Sequence, residues 1–205
     1  MSNREFLFAV GGFLIGVVIV WLIAQSAVNN NNPGMMGMMG LRSQSQQMRA
    51  IDAHFIEQMI PHHEDAITMS RLALQKSNRQ EIKTLAQNII DSQTKEIDQM
   101  KSWYKGWYNK EVPSRNQAMM RNGRGGGFMG MMGDETDIEE LENATDFDKA
   151  FIEEMIPHHQ MAVMMSSMLK RGTSRPEMEQ LADDIITSQS KEISQMRQWY
   201  GDWGY

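Results

Sequence analysis

The chain has 205 residues, among them 21 methionines and no cysteine, and its formal net charge is -6 at pH 7. The absence of cysteine excludes disulfides, zinc–thiolate sites, iron–sulfur clusters and thiol catalysis. The acidic balance and the lack of a basic cluster give no reason to expect a nucleic-acid partner.

The first predicted element is an apolar segment at residues 6–24, which follows a short start that contains Arg4. Its length favours an uncleaved membrane anchor, because the apolar region of a signal peptide is usually about 7–15 residues long. Small residues around Ala24 and Ala27 leave a cleaved signal peptide as the alternative for residues 1–27. In either case we expect a periplasmic or extracytoplasmic protein, anchored to the membrane or secreted.

Two segments rich in methionine and glycine are predicted linkers, residues 28–44 and 110–136. Glycine at this density disfavours a stable helix, so these methionines have no predicted core to fill. Low-complexity drift would explain them without any function. The alternative that we favour is weak capture of a soft ion by thioether sulfur.

The remainder is an internal repeat, in which a shift of 96 residues maps one copy onto the other without a gap. The motif Phe-Ile-Glu-Gln-Met-Ile-Pro-His-His at residues 55–63 returns at residues 151–159 with one Gln-to-Glu difference. A second motif, Ser-Gln-x-Lys-Glu-Ile-x-Gln-Met-x-x-Trp-Tyr, occupies residues 92–104 and 188–200. Such repetition indicates that one supersecondary unit occurs twice.

Each copy is predicted to be a helical hairpin, at residues 45–109 and 137–205. Apolar residues recur at spacings of three and four along both helices of a copy, with breaks at residues 76–78 and 172–176. Two hairpins that each carry one apolar face bury those faces against each other. The predicted fold class is therefore all-α: a four-helix bundle preceded by one N-terminal hydrophobic segment.

Two local features of the hairpins are also predicted. The apolar seam continues through Pro61 and Pro157, which favours a kinked helix over a helix that begins at the proline. The Trp-Tyr pairs that end each copy, at residues 103–108 and 199–203, are expected to cluster at one end of the bundle and cap its core.

The candidate site combines imidazole and thioether groups, which together select soft ions. Met59 lies three and four residues before His62 and His63, so a single helix presents both ligand types. The antiparallel hairpin brings Met100 and Glu96 to the same level from the returning helix. The second copy repeats this constellation, and the predicted metal residues common to both copies are Met59, His62, His63, Met69, Met100, Met155, His158, His159, Met165 and Met196.

The second copy contains more thioethers than the first. Where the first copy has Asp65, Thr68 and Leu72, the second has three further predicted metal residues, Met161, Met164 and Met168. With Met165 these form a stripe at i, i+3, i+4 and i+7 beside His158. Core packing is the alternative for one or two of them; otherwise the second site is the softer one.

These motifs resemble the bacterial domain-of-unknown-function 305 family over residues 45–205. The quoted elements are Phe-x-x-x-Met-Ile-Pro-His-His-x-x-Ala-[Ile/Val]-x-Met-Ser and the Ser-Gln-x-Lys-Glu-Ile motif. The repeat, the export segment and the Met-rich linkers are similar to cyanobacterial periplasmic copper-binding members of that family. The resemblance implies a ferritin-like bundle that binds copper and contributes to copper resistance.

The function predicted from these observations is copper binding outside the cytoplasm, without catalysis. Thioethers favour Cu(I), and histidine also accepts Cu(II). Silver is a second candidate ion, and a copper-efflux or copper-delivery protein is a candidate partner. A di-iron or copper-dependent oxidase is the first alternative, although Met59 and Met155 stand where di-iron bundles carry the Glu of Glu-x-x-His. A Met-rich protein-interaction module is the second.

Overall fold

The computed structural model describes the backbone of residues 33–114 and 138–205, and the side chains of residues 50–114 and 138–205. Its helices are α1 (Pro33–Lys76), α2 (Gln80–Tyr108), α3 (Ile138–Asn143), α4 (Phe147–Gly172) and α5 (Pro176–Asp202). The predicted apolar segment and most of the crossover lie outside the described residues. Within the described ranges, no helix is long and apolar enough to cross a membrane.

The chain divides into two compact units, residues 1–46 and residues 47–205. The described part of the first unit is the beginning of α1. The second unit is an all-α bundle in which α1 pairs with α2 and α4 pairs with α5, as the repeat predicts. Both predicted breaks are confirmed, because α1 ends at Lys76 and α4 ends at Gly172.

Both repeat prolines lie inside continuous helices, Pro61 in α1 and Pro157 in α4. This confirms that neither proline begins a helix, despite the hydrogen bond that each removes. The start of α4 is instead defined by Asp146, whose side chain accepts a hydrogen bond from the backbone N–H of Lys149 at 3.1 Å. Such an N-cap satisfies one of the free donors in the first helical turn.

Helix α1 begins at Pro33 and includes residues 33–44, for which composition predicts a linker. The structure corrects that expectation. Proline suits the first turn of a helix and methionine is a good helix former. Extending an existing helix adds one hydrogen bond for each residue that is fixed, which offsets the cost of the glycines.

The bundle core consists of two apolar clusters, and each draws residues from both repeats. The first cluster joins the α1 segment around Phe55 and the α2 segment around Met100 to the α4 segment around Met165 and the α5 segment around Leu181. The second joins the opposite halves of the same four helices, with Met69 beside Phe151. The hairpins are therefore antiparallel to each other, related by an approximate twofold axis between the clusters.

The aromatic ends of the two copies lie at opposite ends of the bundle, which corrects the expectation of a single aromatic end. Trp107 packs against the first cluster and Trp203 against the second. Each tryptophan is covered by an arginine from the turn of the other hairpin. The guanidinium of Arg175 lies 3.9 Å from the ring centroid of Trp107, and Arg79 lies 3.9 Å from that of Trp203.

The same two arginines contact carboxylates near the ends of the bundle. Arg175 Nε lies 3.2 Å from Asp52 Oδ2, and Arg79 Nε lies 3.7 Å from Asp148 Oδ2. Asp52 is fully buried, and its burial raises the pKa of its carboxyl above the ordinary value despite the neighbouring Arg175. An Asp–Arg–Trp contact thus joins the hairpins at each end.

Helix α3 is a short element that the periodicity analysis does not predict. It places Leu141, which is 1% exposed, in the second cluster. A helix of this length has no complete apolar face, so its periodicity carries no signal.

Candidate metal centre

The four repeat histidines form one row across the middle of the bundle. The ring centroids of His62 and His158 are 3.7 Å apart. On either side, His63 lies 6.4 Å from His62 and His159 lies 6.2 Å from His158. The expectation of two separate sites, one in each hairpin, is therefore refined: the two histidine pairs touch across the approximate twofold axis.

The position of this row follows from the sequence spacing and the antiparallel packing. His62 lies on the α1 seam between Phe55 of the first cluster and Met69 of the second. His158 occupies the same place on α4. Antiparallel helices meet at equal distances from their crossing point, so the residues at the middle of the two seams face each other.

The outer histidine of each pair makes a hydrogen bond to the returning helix of its own hairpin. His63 Nε2 lies 2.7 Å from Glu96 Oε2, and His159 Nε2 lies 2.8 Å from Glu192 Oε2. Both histidine side chains are 0% exposed, and both glutamates are 16% exposed. The sequence predicts that each glutamate reaches the site level, and the structure identifies the nitrogen that it contacts.

His158 is held in its neutral form. Burial is the main cause that lowers its pKa well below the ordinary value, and His62, His159 and His63 lower it further through charge repulsion. A neutral imidazole keeps a lone pair on one nitrogen, which a protonated ring does not. The ring is therefore chemically ready to bind a metal ion at neutral pH.

The ring separations distinguish two places where an ion could lie. An imidazole nitrogen binds metals such as zinc at about 2.0–2.1 Å, so one ion fits between two rings only when the rings are well apart. The 6.4 and 6.2 Å separations within each His pair allow this. The 3.7 Å between His62 and His158 is a van der Waals contact and leaves no room for an ion.

Buried methionines lie in the two apolar clusters, and each cluster contains methionines from both copies of the repeat. Each predicted Met pair lies within one cluster, and each of its members is fully buried. The remaining seam methionine of each repeat, however, packs in the cluster of the other copy's pair. The first cluster contains Met59, Met100 and Met165, and the second contains Met69, Met155 and Met196.

The methionine stripe of the second copy divides between two faces of α4. Met165 is buried in the first cluster, and Met161 is partly buried against it. Met164 and Met168 are 41% and 48% exposed. The structure therefore does not gather the stripe beside His158 as a unit, because positions i and i+4 of the stripe turn towards the core while positions i+3 and i+7 share the outer face of the helix.

Within the described ranges, no group of three or more His, Asp or Glu side chains is arranged to hold a metal ion. Each hairpin brings together one pair of imidazoles, one carboxylate on the outer ring, and thioethers on the neighbouring turns. That donor set fits soft ions such as Cu(I) better than ions that prefer oxygen.

Sequence reasoning missed the cross-hairpin contacts. The Asp–Arg–Trp contacts had a detectable signal, because Asp52, Arg79 and Trp107 each have an identical residue 96 positions later.

A buried hydrogen bond within the first hairpin was also missed. Glu57 and Tyr104 are both 5% exposed, and the Tyr104 hydroxyl donates to Glu57 Oε1 at 2.6 Å. Periodicity analysis scores only apolar positions, so it passes over a buried carboxylate.

The comparisons with known proteins agree with this architecture. The family model described as "Domain of unknown function (DUF305)" matches residues 52–200. A curated relative, the uncharacterized protein L153 of Acanthamoeba polyphaga mimivirus, is 49% identical over 49 residues, which are 24% of this chain and 32% of that protein. The matched segment thus spans about a third of that relative's length.

Similar solved structures cover about three quarters of this chain. CopM in the Cu(I)-bound form is 50% identical with a TM-score of 0.64, over 75% of this chain and 98% of that one. CopM in the Cu(II)-bound form is 53% identical with a TM-score of 0.66, over 74% and 97%. CopM in the Ag-bound form obtained by co-crystallization is 50% identical with a TM-score of 0.64, over 75% and 98%. A DUF305 fragment from Deinococcus radiodurans is 26% identical with a TM-score of 0.62, over 74% and 96%.

Proposed function

We propose that this chain, which belongs to the DUF305 family, is a copper-binding protein that works outside the cytoplasm. Its histidine pairs and neighbouring methionines hold copper without chemical turnover. The protein sequesters the ion or hands it to an efflux or delivery partner, and so contributes to copper resistance or homeostasis. The apolar segment at residues 6–24 supports the proposed location, as an anchor or as a cleaved signal.

The single observation that carries the proposal is the row of four histidines between two thioether-containing clusters, in which the two outer histidines are fully buried. Within the part of the chain that the structure describes, the Nδ1 atoms of His63 and His159 are buried and have no hydrogen-bond partner. Buried polar atoms in folded proteins are normally paired, so this equivalent pair of unpaired nitrogens supports a bound ligand. A soft cation is the ligand that imidazole nitrogen and thioether sulfur share.

The choice of copper is supported by the chemistry of the donors and by the relatives. CopM, at about half sequence identity, has structures in Cu(I)-bound, Cu(II)-bound and Ag-bound forms. Cu(I) is the favoured ion here because the site is apolar and contains thioethers, with histidine able to hold Cu(II) as well. Silver(I) shares the softness of Cu(I) and is the expected substitute.

The test is an anaerobic Cu(I) titration of residues 41–205 against a competing chelator. We expect the wild-type chain to bind Cu(I) and the variant His62→Ala, His63→Ala, His158→Ala, His159→Ala to lose that binding. The matched control is His54→Ala, because His54 is exposed and has no counterpart in the second copy. Equal copper content in the quadruple variant and the wild type would show that the histidine row does not bind copper.

A further inference from the structure

We infer that Glu96 and Glu192 are positioning residues that hold His63 and His159 in the Nε2–H tautomer. In that tautomer Nδ1 is the nitrogen that binds copper. The inference rests on the proposed function, because it states which atom of each outer histidine meets the ion and what keeps that atom available. It assigns the glutamates a role next to the ligands, where the sequence leaves open that they are ligands themselves.

Each glutamate makes a short hydrogen bond to the outer histidine of its hairpin. The Nε2–Oε2 distances of 2.7 and 2.8 Å lie in the range of a charge-assisted bond. An ionised carboxylate only accepts hydrogen bonds, so Nε2 must be the donor. With one glutamate on each outer histidine, both rings carry their hydrogen on the same nitrogen.

The other nitrogen of each ring is enclosed by protein. His63 and His159 are fully buried, and among the described residues no group makes a hydrogen bond to the Nδ1 atom of either ring. In a neutral imidazole with hydrogen on Nε2, Nδ1 carries the lone pair. Each glutamate therefore leaves one buried lone pair on the outer ring of its hairpin, and that ring lies 6.4 or 6.2 Å from the inner ring, a separation that admits one ion.

The surroundings of the two glutamates favour a positioning role over direct ligation. The contacting oxygen of each glutamate is already engaged by Nε2, and the glutamates reach the surface while the rings do not. A carboxylate that binds the second nitrogen of a metal-binding histidine fixes its tautomer and orientation and raises its basicity. The equal geometry in two hairpins whose outer faces differ argues that this pairing is what both sites require.

The experiment begins with the copper-free protein. Long-range proton–nitrogen NMR spectra report which ring nitrogen carries hydrogen, and we expect the Nε2–H form at His63 and His159. The variant Glu96→Ala is expected to reduce the Nε2–H population at His63 and leave His159 unchanged. Glu192→Ala should have the reverse effect, so each hairpin serves as the internal control for the other.

The second readout is Cu(I) affinity at the altered hairpin. Loss of such a second partner typically weakens metal binding by about 10–100-fold, and we expect Glu96→Ala to fall in that range. Glu96→Gln should lose much less, because its amide oxygen still accepts the Nε2 hydrogen. The matched control is Asp98→Ala, which removes an exposed charge from the same helix. Circular dichroism checks that each variant is folded.

The outcomes separate this inference from the proposed function. A wild-type protein that binds Cu(I) with His63 in the Nδ1–H form overturns the positioning role alone. Equal losses of affinity in Glu96→Gln and Glu96→Ala, with the tautomer unchanged, also overturn it and make Glu96 a ligand. A wild-type protein that binds no Cu(I) refutes the proposed function and, with it, the role assigned here.

Discussion

The two hairpins keep the same inner geometry while their outer surfaces have diverged. The outer His–Glu distances agree within 0.1 Å, at 2.7 and 2.8 Å. Away from the histidines, Glu57 is buried at 5% exposed, whereas its counterpart Glu153 is exposed. The first copy also has polar residues where the second has Met161 and Met164. Packing and ligand chemistry therefore constrain the histidine row. The residues around the row differ between the copies, which makes the two sites unequal.

The largest expected effect tests whether the hairpins hold separate ions. Removing one pair, by His62→Ala with His63→Ala, should remove about half of the bound Cu(I), because one ion fits within each pair and none fits between the rings at 3.7 Å. His158→Ala with His159→Ala should remove the other half. Metal analysis after dialysis measures both. Complete loss in either double variant would show one shared centre.

A second comparison uses the two Tyr–Glu hydrogen bonds, which have the same length in very different surroundings. Both hydroxyl–carboxylate distances are 2.6 Å, but only the pair of Tyr104 with Glu57 is buried. Tyr104→Phe should lower the free energy of unfolding by about 1.5–3 kcal/mol, the usual contribution of a hydrogen bond to a charged group. Tyr200→Phe should have a much smaller effect. Urea unfolding measures both, and equal midpoints would contradict the burial difference.

A third prediction concerns the pH dependence of the copper-free protein. His158 has a lowered folded pKa, so between pH 6.5 and that pKa the unfolded chain binds a proton and the folded chain does not. The free energy of unfolding should therefore fall as the pH decreases below about 6.5, by up to about 1.4 kcal/mol for each pH unit. Above pH 6.5 this contribution is absent.

The variant His158→Gln should flatten that dependence, and His54→Gln should leave it unchanged. Asp52 acts in the opposite direction at lower pH, because its raised folded pKa favours the protonated folded state. The difference between wild type and variant cancels the Asp52 contribution. Parallel unfolding curves for His158→Gln and wild type between pH 5 and 7 would rule out a neutral buried His158.

The smallest expected effect comes from exchanging the outer residues between copies. Met164→Thr and Met168→Leu give the second hairpin the residues of the first at its two exposed positions. Because Met164 and Met168 are 41% and 48% exposed, stability should change by less than about 1 kcal/mol. If these thioethers collect Cu(I) for the second site, its uptake should slow or weaken while the first site is unchanged. Stopped-flow competition with a chelator measures the uptake rate. Identical traces for the variant and the wild type would show that Met164 and Met168 do not contribute to copper uptake.

Much of the fold could be predicted from the sequence because the repeat states the same pattern twice. The seam through Phe55, Met59 and Ala66 marks a helix face, and the shift of 96 residues confirms it independently. The Met59–Met100 and Met155–Met196 groupings follow from hairpin arithmetic alone. Local periodicity and chain connectivity are sufficient for such contacts, because they lie within one hairpin.

The contacts between hairpins could not be predicted in the same way. A sequence repeat does not specify whether its copies pack parallel or antiparallel. The aromatic residues are therefore predicted at one end of the bundle, whereas they lie at opposite ends. For the same reason, the sequence does not predict that Met69 packs in the second cluster and Met165 in the first. Composition likewise predicts a linker at residues 33–44, where helix extension from α1 outweighs the glycines.

The sequence by itself determined the ligand types and their spacing: two imidazoles after a methionine, twice, on helices whose seams continue through proline. Only the tertiary structure decided that His62 meets His158 at 3.7 Å and that a glutamate engages the Nε2 atom of each outer histidine. The physical reason is that spacing along a helix is set by local backbone geometry, whereas the facing of two helices depends on which apolar surfaces bury each other best. The row of histidines is therefore a product of packing, built from ligands that the chain already specified.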